Sequence, residues 1–176
     1  MSGGRGQLAP VLDSIAQAQA VGFPGGIKLN TVIQRGVNED GVLELLERFR
    51  GTGIVVRFIE YMDVGNRNDW NAQAVVSSRE LVERIGRRWP LEPMSPQYRG
   101  EVARRYRYAD GAGEIGFISS VTEPFCGGCT RARLSSEGKL YTCLFAQEGT
   151  DLRGPLREGA SDDVLLARLR GIWQQH

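Results

Sequence analysis

The run Ile54-Val55-Val56-Arg57-Phe58-Ile59 limits what this chain can fold into more than any other stretch. Its near-continuous apolar character predicts a strand covered on both faces, the pattern of parallel sheets, which need crossover helices between their strands. The residues before it supply those helices. Pro10 to Ala20 reads as a helix with Val11, Leu12, Ile15 and Ala16 as its apolar stripe, and Pro10 suits a first turn. Gly22 and the Pro24-Gly25-Gly26 turn stop it. Ile27 to Ile33 reads as a strand with Lys28 and Asn30 on one side and Ile27 and Leu29 on the other. A second helix runs from Asp40 to Arg50, with Val42, Leu45, Leu46 and Phe49 on one face and Gly51 as its stop. Helix and strand alternating at these intervals predict an α/β fold built from β/α units.

In such folds ligands sit outside the carboxyl ends of the strands. That directs attention to the polar segment Glu60 to Trp70, in which Met62, judged by residue type alone, is loop packing. Lys28 is either an edge residue reaching water or a group inside a pocket. Downstream, Ser77 and Glu80 form a capping box with Val76 and Leu81 as its hydrophobic staple, and the helix they open fades at Gly86. Leu91 to Gly100 is expected to be a connection. Tyr106–Tyr108 and Glu114–Val121, on either side of Asp110-Gly111-Ala112-Gly113, predict a hairpin, and Ser161 to Gln174 predicts a final helix.

All three cysteines lie in the segment Phe125 to Phe145. Cys126 and Cys129 flank a Gly-Gly turn at a spacing that lets two thiolates meet one metal centre. Ser135-Ser136-Glu137-Gly138-Lys139 is turn chemistry, and a hairpin with Leu134 facing Leu140 would set Arg131 opposite Cys143. Three chemistries are open for the thiols. A disulfide leaves one sulfur over, and a closed zinc site lacks a fourth ligand because the only histidine is His176. An iron–sulfur cluster with three protein ligands leaves one iron open to a small molecule, and Arg131 and Arg133 would suit an anionic one. Without the cysteines, those arginines read as a solvated strand face.

Composition narrows the partners. With 22 Lys and Arg against 21 Asp and Glu, the net charge of +1 gives no global attraction to nucleic acid or to an anionic membrane. The 41% hydrophobic content is that of a globular protein, with no membrane-length apolar run and no secretory signal; a cytoplasmic location is expected. The Gly-rich start predicts a disordered leader over residues 1–9.

Phe125 to Phe145 resembles the C-terminal cluster motif of the MoaA family, the GTP 3',8-cyclases that begin molybdenum-cofactor biosynthesis. Gly26-Ile27-Lys28-Leu29-Asn30-Thr31-Val32 and Arg57-Phe58-Ile59-Glu60-Tyr61-Met62 extend the resemblance, in the family's order and at compatible spacings. The resemblance implies the later strands of an incomplete (β/α) TIM-like barrel over residues 10–90, then a C-terminal α+β region over residues 91–176 that carries the three-cysteine cluster site. It implies that Cys126, Cys129 and Cys143 hold a [4Fe-4S] cluster whose open iron meets the purine of GTP. Lys28, Arg131, Ala132 and Arg133 match positions that contact GTP, and Met62 matches one that contacts S-adenosylmethionine. In that family a second, N-terminal [4Fe-4S] cluster cleaves S-adenosylmethionine to a 5'-deoxyadenosyl radical. The radical takes H3' from GTP, and the ribose carbon then closes onto C8 of guanine.

The C-x-x-x-C-x-x-C motif of that second cluster is not among these residues, nor is the family's Gly-Gly tail. The expectation is therefore a chain that binds one cluster and is inactive alone. An open sheet edge would favour self-association, with a homodimer as one form.

Overall fold

The computed structural model describes residues 7–63 and 70–175. They form two compact units, the first ending at Cys126 and the second beginning at Gly127. Residues 1–6 of the expected leader, and most of the polar loop between Asp63 and Trp70, lie outside the described residues.

The first unit follows the predicted alternation. It contains α1 (Leu8–Val21), β1 (Lys28–Ile33), α2 (Val42–Phe49), β2 (Val55–Glu60), α3 (Ser78–Gly86), β3 (Leu91–Pro93), β4 (Arg104–Tyr108) and β5 (Glu114–Ile118). The sheet order is β1-β2-β5-β4-β3. β1, β2 and β5 run parallel, and β4 and β3 continue the sheet antiparallel. The sheet thus runs across the boundary expected at residue 90.

Burial on β2 alternates, and here the expectation of full cover on both faces is corrected. Val56, Phe58 and Glu60 are buried, while Val55, Arg57 and Ile59 are half-buried. Val56 and Phe58 join Ile33, Ile115 and Phe117 from the neighbouring strands in one core with Val42, Leu46 and Phe49 of α2 and Leu81 and Ile85 of α3. Because successive strand side chains point to opposite faces, these helices cover one face of the sheet. α1 leans on this core through Leu12 and Ile15 but buries no residue fully.

Local details depart from the sequence reading for identifiable reasons. α1 begins at Leu8, two residues before the Pro10 start read from the sequence. α2 begins at Val42 because Glu39–Gly41 forms a 3-10 turn, in which the Glu39 carboxylate accepts the Gly36 and Val37 N–H groups. Ser77 caps α3 by accepting the Glu80 N–H at 3.2 Å, and Val76 and Leu81 are both buried. Glu80 pairs with Arg35 at 2.6 Å instead of completing the box. That contact depresses the Glu80 pKa and raises that of Arg35. Leu91–Pro93, expected to be connection, is the edge strand β3, a position where a proline costs no ladder hydrogen bond.

The second unit is a small antiparallel sheet, β6 (Arg133–Leu134), β7 (Lys139–Tyr141) and β8 (Thr150–Asp151), followed by α4 (Arg153–Arg157) and α5 (Asp162–Gln174). Leu134 pairs with Leu140, the register counted from the sequence. Gly138 supplies the turn at φ 77°, and any Cβ there would come within 2.6 Å of the Arg153 Cβ. None of the described residues of this unit is fully buried.

Candidate functional site

Two places combine the predicted chemistry with strand ends or turns. The first is the thiol segment. Cys126–Gly128 forms a 3-10 turn, as the Gly-Gly spacing suggested, and none of the three cysteines is joined in a disulfide. In the second unit, Arg131 Nη2 donates to Cys129 Sγ at 3.3 Å, and the Phe145 N–H donates to Cys143 Sγ at 3.4 Å. Hydrogen bonds to sulfur are among the features that tune iron–sulfur centres. The donor set therefore suits a soft metal centre.

The pairing that was to bring Arg131 opposite Cys143 stops at Arg133 and Tyr141. Cys143 lies in the bend beyond β7 and Arg131 in the irregular segment before β6. Among the described residues, no three or more His, Cys, Asp or Glu side chains gather as a metal site. Arg131 is half-buried, while Ala132 and Arg133 are exposed. Ala132 also lines a cavity with Leu140, Leu169 and Trp173.

The second place is the carboxyl end of β2 and β5. Glu60 is 2% exposed and accepts four hydrogen bonds. Oε1 takes the Ser78 N–H at 2.9 Å and the Thr122 hydroxyl at 2.6 Å. Oε2 takes the Val121 and Thr122 N–H groups at 2.9 and 2.8 Å. Burial pushes this carboxyl up, but the Thr122 hydroxyl and the three backbone donors together outweigh it and hold the pKa below the usual range. Beside it, Ser119 Oγ donates to Ser78 Oγ at 2.8 Å, both residues being buried. Met62 follows two residues later and is half-buried.

Lys28 opens the edge strand β1, exposed, with Nζ donating to the Gly25 carbonyl at 3.2 Å. Its face of the sheet also carries Asn30, which is in register with Arg57 and, beyond that, Gly116. A Cβ on Gly116 would meet Arg57 Cγ at 3.0 Å, so glycine leaves room for the arginine stem. The sequence reading singled out the segment that opens at Glu60 but gave no role to Glu60 itself or to Arg57. Their signal was present: a lone cation inside an apolar run and an acid closing it.

By fold and residue chemistry this is an α/β protein with a short cysteine- and arginine-bearing segment following its mixed sheet. Residues 54–176 match the family described as Molybdenum Cofactor Synthesis C, and the chain belongs to that family. It is 57% identical over 173 residues to a GTP 3',8-cyclase of Xanthomonas axonopodis pv. citri, covering 98% of this chain and 51% of that protein. Identity to the GTP 3',8-cyclase of Synechococcus sp. (strain CC9605) is 52%, covering 94% of this chain and 47% of that protein. For the Acidothermus cellulolyticus GTP 3',8-cyclase the figures are 50%, 96% and 47%. The chain thus spans about half the length of the curated relatives it matches. Homology supports a role in molybdenum cofactor biosynthesis.

Proposed function

We propose that this chain is the C-terminal part of a cytoplasmic radical S-adenosylmethionine GTP 3',8-cyclase, and that its share of the reaction is to hold GTP. Cys126, Cys129 and Cys143 would hold a [4Fe-4S] cluster. When bound, such a cluster supplies an iron without a cysteine ligand, open to the purine. The observation that carries this reading is the family match across a segment whose thiols attract guanidinium and N–H donors.

Arg131 and Arg133 supply planar, permanently charged donors suited to an anionic nucleotide, and Ala132 between them keeps that contact segment narrow. Lys28, with Arg57 on the same sheet face, adds positive charge fit for a phosphate chain. Met62, just beyond the carboxyl end of β2, offers a soft, adaptable contact for S-adenosylmethionine. In this reading the first unit is the later part of an incomplete β/α barrel. Cleavage of S-adenosylmethionine, and the cyclisation to (8S)-3',8-cyclo-7,8-dihydroguanosine 5'-triphosphate, belong to the whole enzyme. The edge strand β1 and the exposed apolar residues favour self-association, a homodimer included.

Anaerobic reconstitution with iron and sulfide, followed by metal analysis and GTP titration, tests the proposal. About four irons per chain, brown colour and GTP binding are expected. Colourless protein with one zinc per chain and no response to GTP would overturn it in favour of a zinc-stabilised binding module.

A further inference from the structure

We infer that Glu60 is a positioning residue that fixes how the segments following β2 and β5 leave the sheet, and thereby where Met62 and Cys126 stand. The inference rests on the roles proposed above for those two residues. Burying a carboxylate is costly before compensation, whereas valine or leucine at the end of a core strand would incur no such cost. Here the compensation comes from elsewhere in the chain: Ser78 lies 18 residues away, and Val121 and Thr122 lie 61 and 62 away. α3 already has its cap in Ser77, so capping alone does not require Glu60.

What Glu60 adds is a clamp. Three of its four contacts go to Val121 and Thr122, the turn that leaves β5 four residues before Cys126. The Ser119–Ser78 hydroxyl pair ties the residue just before that turn to the start of α3. Met62 leaves β2 only two residues beyond the clamped carboxylate, so one group registers both exits. Its two oxygens each receive two donors, an arrangement made for holding backbone and not for passing a proton.

Hydrogen–deuterium exchange and anaerobic reconstitution on the 176-residue chain test this with three variants. Glu60→Gln keeps the size but sets an amide NH2 among donors; Thr122→Val removes one donor and touches no thiol; Thr122→Ser restores the hydroxyl. In the first two, the Val121 and Thr122 amides should exchange about tenfold faster. Iron per chain should fall to roughly half or less, because a displaced Cys126 weakens a three-ligand site. The amides of β1 and β3 should keep parental rates, and Thr122→Ser should recover both readings. Unchanged exchange across residues 119–126, or unchanged iron uptake, overturns the inference. So does faster exchange spread evenly over the sheet in Thr122→Val, which would make the contact part of general stability; this variant also decides the matter if Glu60→Gln does not fold. A parental chain that binds no iron overturns the cluster reading by itself, and the clamp is then decided by exchange alone.

Discussion

The two units are built on opposite principles. Residues up to Cys126 surround a core in which Phe58, Ile115 and Phe117 are at most 1% exposed. Among the described residues from Gly127 onward none is fully buried, and Leu134, Phe145, Leu156 and Val164 stand more than half exposed. A 50-residue segment in which no described residue is fully buried falls in the size range where metals, disulfides or partner surfaces usually supply stability. The cysteines fall where the core runs out. The difference teaches that hydrophobic burial organises the first unit, whereas the described part of the second holds its short sheet together without one fully buried side chain.

The largest test of this contrast is Cys143→Ser. Reconstituted iron should drop from about four per chain to near none, and amides from 127 onward should lose protection while those of the first unit keep theirs. Phe58→Ala strikes the other side of the comparison. Removing this buried ring should cost about 3–5 kcal/mol in urea unfolding of the first unit. Arg133→Ala, at an exposed position in the second unit, should weaken GTP binding about tenfold in calorimetry and leave unfolding unchanged.

A pH series sharpens the contrast further. The Glu60 pKa is lowered on folding, so its stabilisation is complete above the unfolded value of about 4.3 and is lost as pH falls through the lower folded value. The first unit should therefore weaken in acid, and Glu60→Gln should flatten that part of the profile of urea midpoint against pH. The smallest effect is expected from Val164→Ala on the exposed surface of α5, within about 0.5 kcal/mol. A larger loss would show that this face is covered in solution.

Much of the first unit could be read from one dimension. The 3.6-residue spacing of Val42, Leu45, Leu46 and Phe49 and the apolar run at 54–59 announced α2 and β2, and Ser77 announced the start of α3. Those signals are local, and the core rewards them. β3 escaped notice because Leu91-Glu92-Pro93 has no strand pattern; its pairing with β4, including the Glu92–Arg107 ion pair at 2.7 Å, defines it. The candidate site was legible as residue types and spacing at Cys126, Cys129 and Cys143, and the hairpin register was legible at Leu134 and Leu140. The length of that hairpin was not. With two or three residues per strand and no buried face, the ladder ends before it reaches Arg131 or Cys143.

The sequence by itself determined the alternation of helix and strand, the family, and the inventory of thiols and guanidiniums, because periodicity and residue chemistry are properties of neighbours along the chain. Only the tertiary structure decided that Glu60 would be buried and clamped to a turn some sixty residues away. The choice depends on β5 lying beside β2, and parallel strands in register are made by contacts between distant segments that no local pattern records.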